Sequence, residues 1–248
     1  MIKIKTPAEI DIMREANRLV AQVLQSIAGV VAPGITTAEL DNMAESMCLK
    51  MGAKPAFKGY GGFPFALCCS VNEQVVHGFP NGAALKEGDI LSVDFGVILD
   101  GFYGDSAVTL PVGRVSDDAV RLMEATKASL EAGIAMMRPG NRLGDVSHAV
   151  QKVVEAAGFS VVRQFVGHGI GRALHEEPQL PNYGNPGRGV QLKAGMVIAI
   201  EPMVNSGGHE VRILDDGWTA VTVDGKLSAH FEHTVAITND GPRVLSLP

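Results

Sequence analysis

Apolar side chains recur at Ile10, Met13, Leu19, Val20, Val23, Leu24 and Ile27. This spacing places them on one face of a helix. Immediately before them, Thr6-Pro7-Ala8-Glu9 joins a capping box to a proline at the first helical position. A helix is therefore expected to open at Thr6 and to run towards Pro33-Gly34. Thr36 to Glu39 opens a second helix ending near Gly52, and two more are expected over about 117–137 and 143–157. Gly158 stands where a helix-terminating glycine belongs. The segment GYGGFPFALCCS and the stretches after it read as loop and strand, and the Gly-rich final third has VIAIEPMV at its centre.

The pattern also repeats. VAPGITTAELDNMAESMCLKMG, from Val31, aligns without gaps on MRPGNRLGDVSHAVQKVVEAAG, from Met137. At nearly the same offset LKEGDILSVDF, from Leu85, aligns on LKAGMVIAIEP, from Leu192, which sets Asp94 opposite Glu201. Two matches in the same order suggest duplicated helix–helix–strand halves, about 1–110 and 111–248, related by a pseudo-twofold axis within a single catalytic domain. Because the first helix begins at Thr6, no separate N-terminal extension domain is expected.

Bulk composition narrows the class. The 248 residues are 46% hydrophobic and 19% charged, an ordinary globular balance without a disorder signature. A net charge of −6 and a pI near 5.6 argue against nucleic acid or an anionic membrane as the main partner. No apolar run approaches a membrane span, and the N-terminus lacks a signal-peptide core. Three cysteines, two of them adjacent (Cys68, Cys69), make no disulfide framework, so a reducing cytoplasm is the expected location.

The stretch VDFGVILDGFYGDS, from Val93, poses the chemical question, because an otherwise buried hairpin carries Asp94 and Asp105. Asp100-Gly101 is a strong two-residue turn. It pairs Leu99 with Phe102, Asp94 with Ala107, and Gly96 with Asp105. Alternation then leaves both acids on one face, diagonal neighbours about 7–8 Å apart. The plainer reading, surface acids beside a turn or one acid capping a loop, is disfavoured by the apolar flanking residues, but a metal site needs further ligands. Further candidates are His168 between two glycines in VGHGIGRALHEEP, Glu201 in the apolar run IAIEPMV, and Glu232 in AHFEHTVAI. His168 and Glu232 have plainer readings, a loop histidine and an exposed edge-strand glutamate, whereas a buried Glu201 must be paired or metal-bound. Together, four carboxylates and one imidazole suit Mn²⁺, Fe²⁺, Co²⁺ or Zn²⁺. Five ligands are too many for one ion with an open position, and about right for two ions bridged by carboxylates and a water. His148, His209, His230 and His233 are read as structural.

Six motifs carry a family resemblance: NEQVVHG, VDFGVILDGFYGDS, GHGIGRALHEEP, IEPMV, DDGWT and FEHTV. In order and spacing they make the chain similar to the type I methionine aminopeptidases, from the first helix to the last strand. The resemblance implies an α/β (α+β) pita-bread fold, two pseudo-symmetric halves with a central curved, antiparallel-rich sheet covered by helices. It implies that Asp94 chelates one ion, that Asp105 and Glu232 bridge, and that His168 and Glu201 hold the other. It further implies Glu201 as proton carrier, His175 as donor to the carbonyl oxygen, and His77 as a contact to the scissile amide. Tyr60, Phe63, Cys68 and Trp218 map onto walls of a methionine pocket. Phe63 stands where many relatives have tyrosine, and Leu174 where many have phenylalanine, which bears on pocket shape.

The implied activity is removal of the initiator methionine from nascent chains and peptides whose second residue is small. The ribosome is a candidate partner, and a monomer is the expected state. The competing readings are a prolidase or aminopeptidase P on the same fold, a non-enzymatic binding protein on that fold, and a carboxylate-rich metal-storage module.

Overall fold

The computed structural model describes residues 1–248. Its helices begin where capping chemistry puts them. Helix α1 (Pro7–Ala28) has Thr6 as N-cap, with the reciprocal Thr6–Glu9 bonds in place, and α2 (Thr37–Lys50) repeats the device with Thr36 and Glu39. Helix α3 (Asp117–Ala135) is capped by the Ser116 hydroxyl, which accepts from the Ala119 amide. Helix α4 (Leu143–Ala156) opens with the Arg142 amide donating to Asp145 Oδ2 at 2.7 Å. Only α1 departs clearly from expectation, stopping short of Pro33. Its buried stripe is exhausted at Ile27, and the amides of Val30 and Val31 both turn back onto the Ile27 carbonyl.

The principal sheet has nine strands. Along its main path they run Lys54–Pro55, Ile90–Leu99, Phe102–Pro111, Glu232–Thr238, Val197–Ile200, Gly167–Gly169 and Glu176–Leu180, every pair antiparallel. Leu67–Val71 adds to Ile90–Leu99, and Gly241–Val244 to Glu232–Thr238. The expected strand around Glu201 divides into Val197–Ile200 and Met203–Asn205, with Glu201-Pro202 between them. Two three-stranded sheets complete the β structure.

Side-chain alternation gives each central strand two jobs. Val93, Phe95 and Val97 point into the core beneath α1 and α2, where they meet Val20, Leu24 and Leu40. Ile198, Ile200, Val235 and Ile237 do the same beneath α3 and α4, against Leu130, Val146 and Val150. Burying each such side chain stabilises the fold by roughly 1.5–3 kcal/mol. The opposite faces of the same strands are free to carry polar chemistry. Gly104 matters here because α1 crosses the hairpin directly over it. A Cβ at that position would lie 2.8 Å from the Asn17 amide nitrogen. The close approach lets Asn17 Oδ1 accept from the Asp105 amide at 3.2 Å.

The two helix pairs are fastened alike. Gly34 donates to Leu85 and Leu85 to Ile35, both at 2.8 Å; Gly140 donates to Leu192 at 3.2 Å and Leu192 to Asn141 at 2.7 Å. No helix is long and apolar enough to cross a membrane.

Candidate metal centre and substrate cavity

The hairpin register is the expected one, with Leu99 opposite Phe102, Asp94 opposite Ala107, and Gly96 opposite Asp105. Asp100 (φ 50°) and Gly101 (φ 78°) both occupy the left-handed region that such a two-residue turn requires. Ala107 is also paired with Glu232 on the next strand. Asp94 and Glu232 therefore flank a small alanine, while Asp105 lies two positions along the middle strand. His168 pairs with Ala199, and Ala199 with Thr234 of the Glu232 strand, so the imidazole enters from the far side. The glycines beside His168 serve close backbone approach, as expected: a Cβ on Gly167 would meet the Ala199 carbonyl, and one on Gly169 the Glu177 carbonyl.

Five groups consequently share one cavity: Asp94, Asp105, His168, Glu201 and Glu232. One ligand atom each from Asp105, His168 and Glu232 fall within 4.8 Å of one another. His168 Nε2 lies 3.4 Å from Glu201 Oε1 and 4.0 Å from Asp105 Oδ2. Its Nδ1 faces the Gly169 carbonyl at 3.0 Å, which places the proton on Nδ1 and leaves the Nε2 lone pair directed at the acids.

Burial pushes the Asp94 carboxyl up to about 7, and drives Asp105, Glu201 and Glu232 well above the ordinary carboxylate range, with their mutual repulsion adding to it. Asp94 Oδ1, Asp105 Oδ1 and Glu232 Oε1 are buried with no hydrogen-bond partner. Orphaned acceptors of this kind are rare in folded proteins and call for a bound group. Hard oxygens with one imidazole nitrogen fit a divalent cation. Burial, and after it the charge of Asp94 and its neighbours, drives the Cys68 thiol far above its usual range, so no thiolate nucleophile competes in this cavity.

The cavity, about 180 Å³, also takes in Tyr60, Phe63, Cys68, His77, Leu174, His175 and Trp218. Phe63 packs edge-on against Trp218 and Phe79, with ring centroids 5.1 and 5.4 Å away. Trp218 is held from behind by Asp216, which accepts from the Trp218 and Thr219 amides at 2.8 Å each and from the Thr219 hydroxyl at 2.6 Å. His175 Nδ1 meets the Tyr60 hydroxyl at 2.7 Å, and its ring stands edge-on to His168 at 4.4 Å. Burial, then the charge of His175, lowers the His77 imidazole to about 4, so it is neutral near pH 7.

One residue set aside on sequence grounds belongs to this cavity. His230 lines it, with Nε2 unpartnered and 4.0 Å from Glu201 Oε2. The signal was its position two residues before Glu232, which alternation puts on the same face. His148 and His209 lie elsewhere, and His233 faces the opposite side of the strand, bonding Ser246 Oγ at 2.8 Å.

This fold and acid cluster define a metallopeptidase: residues 11–239 match metallopeptidase family M24, and the chain belongs to that family. Within it, the chain is 56% identical to a methionine aminopeptidase of Clostridium perfringens, covering 100% of this chain and 99% of that one. It is 54% identical to methionine aminopeptidase 1 of Bacillus subtilis over 99% of each. Its fold superposes on the crystal structure of the Thermotoga maritima methionine aminopeptidase with a TM-score of 0.98 at 51% identity, each chain fully covered. The prolidase of Pyrococcus horikoshii shares the fold at a TM-score of 0.79 and 20% identity, with 98% of this chain matching 63% of that one. The architecture is the pita-bread fold.

Proposed function

We propose that this chain hydrolyses the bond after an N-terminal methionine, on nascent proteins and peptides with a small second residue. The observation that carries the reading is a methionine-sized apolar cavity opening directly onto the buried acids. Aromatic edges and a neighbouring thiol suit a flexible, polarisable thioether. In this reading the halves 1–110 and 111–248 are structural repeats, supported by the matching backbone bonds that tie the turns before α2 and α4 to the segments before the central strands, and each contributes carboxylates to the shared centre.

Asp94, Asp105, His168, Glu201 and Glu232 are the metal-holding residues. Together they would hold two divalent cations, Asp94 from one side of the cluster, His168 and Glu201 from the other, with Asp105 and Glu232 between; Co²⁺, Mn²⁺, Fe²⁺ and Zn²⁺ all suit this donor set. When bound, the cations supply Lewis acidity, which makes a water acidic near neutral pH and a carbonyl more electrophilic.

The chain's own residues do the rest. Glu201 takes the proton of the attacking water at a carboxylate oxygen and returns it to the leaving amine. His175 accepts from the Tyr60 hydroxyl at Nδ1, which leaves the ring proton on Nε2 to meet the carbonyl oxygen as negative charge grows. His77, neutral at working pH, hydrogen-bonds the scissile amide or the backbone after it. Tyr60, Phe63, Cys68 and Trp218 hold the methionine side chain and exclude water. The natural substrates are polypeptide N-termini in the cytoplasm, met at the ribosome, and the working unit is the monomer.

The test is an assay of Met-Ala-Ser against X-Pro peptides with added Mn²⁺ or Co²⁺. Methionine release from the first alone, abolished by a chelator and by Asp105→Ala, is the expected result. Cleavage of X-Pro bonds instead moves the assignment to the prolidases. Undiminished turnover in Asp105→Ala overturns the metal centre.

A further inference from the structure

The acid next to His175 in HEEP takes no part in the chemistry above, yet it is one of the most confined charges in the molecule. The Glu176 side chain is 4% exposed, and so nearly buried is its partner Lys5, at 5%. Lys5 Nζ stands 2.8 Å from Glu176 Oε2, and the exposed Lys3 reaches Oε1 at 3.3 Å. The Arg172 amide donates to the same Oε1 at 3.0 Å. Glu176 therefore closes the loop 170–176 on itself while tying it to the start of the chain.

Everything around this contact is fitted to it. A Cβ on Gly171 would lie 2.6 Å from Lys5 Cε and 3.0 Å from Glu176 Oε1, so a side chain there would push the pair out of its present arrangement. The Lys5 amide is itself held, donating to the Gly195 carbonyl at 2.7 Å. On the loop's other side the Tyr103 amide donates to Gly171 at 2.8 Å, and the Arg172 guanidinium stacks on Phe102 at 4.2 Å. Burial raises the Glu176 carboxyl, but Lys5 and then Lys3 outweigh it, and the group is held below the ordinary range.

His175 needs such a brace. Its hydrogen-bonding contact in the cavity is Tyr60, which is 41% exposed and sits on the Gly-rich turn Tyr60–Gly62. One exposed hydroxyl does not fix the ring of a donor that has to meet a developing charge within a few tenths of an ångström. The backbone at Glu176 supplies the other fixed point. It is paired with Gly169, the residue after His168, at a register shift in the two strands.

We propose that Glu176, clamped by Lys5, is a positioning residue for His175, fixing the ring against the scissile carbonyl. The proposal rests on the donor role given to His175 under the proposed function. Glu176→Gln and Lys5→Met then lower kcat on Met-Ala-Ser by about ten- to a hundredfold with KM changed less than about twofold. Lys5→Arg restores most of the loss. In a His175→Ala background, Glu176→Gln costs less than about twofold more, because the residue it acts through has gone.

A second readout uses metal-free protein with ¹⁵N-labelled histidine. The His175 ring signals shift or broaden in Glu176→Gln, while those of His148 and His209 stay in place. Equal losses in the wild-type and His175→Ala backgrounds, or lowered thermal stability with kcat and ring signals unchanged, overturn the brace. If Glu176→Gln does not fold, Lys5→Met carries both measurements. If His175→Ala itself leaves kcat intact, the donor role of His175 fails instead, and the ring signals still decide whether Glu176 positions it.

Discussion

His77 shows how far burial alone sets the state of a side chain in this cavity. Its backbone is in the left-handed region (φ 60°), and burial with His175 nearby holds its ring neutral down to about pH 4. An unfolded histidine protonates near pH 6.5. Between those values the unfolded chain binds the proton and the folded one does not. The group's effect on stability is thus absent above about pH 6.5 and destabilising as pH falls towards 4. His77→Asn keeps a residue type tolerant of positive φ. Between pH 7.5 and 5.0 it should reduce the stability loss seen in urea unfolding by on the order of 1 kcal/mol. Substrate contacts follow the same residue-level logic: Asp216→Ala frees the turn that holds Trp218. A rise of about tenfold in KM for Met-Ala-Ser, with little change in kcat, is the expected outcome in steady-state kinetics.

At the scale of elements, the junction of α1 with the hairpin links stability to the centre. Gly104→Ala forces the helix away from the strand, at about 1–3 kcal/mol of stability by thermal unfolding. Because Asn17 accepts from the Asp105 amide, the same shift displaces Asp105. Calorimetric titration with Mn²⁺ should show weaker binding in this variant. Capping is a separate and smaller contribution: Thr6→Ala removes the bonds that open α1, worth about 1 kcal/mol, and leaves metal affinity unchanged.

At the scale of the whole molecule, the centre is a place where two sets of helices and strands are pulled together by what they jointly hold. Four clustered carboxyls are forced towards neutrality when nothing compensates them. A divalent cation at a hundred times its dissociation constant stabilises the native state by about 2.7 kcal/mol, which raises Tm by roughly 5–10 °C for a chain of this length. Differential scanning calorimetry with and without Mn²⁺ should register that rise in the wild-type protein and not in Asp105→Ala.

What the sequence determined by itself was local. The Thr6–Glu9 and Thr36–Glu39 boxes set two helix starts, and Asp100-Gly101 fixed a register in which Asp94 and Asp105 share a face, because turns, caps and alternation act over a few residues. The family motifs added the candidate partners and implied that they share a centre, but no local rule derives that convergence. The tertiary structure brings His168, Glu201 and Glu232 onto the hairpin acids in one cavity, and it alone decided that Lys5 reaches across to Glu176. The physical reason is that burial and pairing between residues far apart in the chain depend on how the strands and helices pack, and no periodicity in the sequence records that.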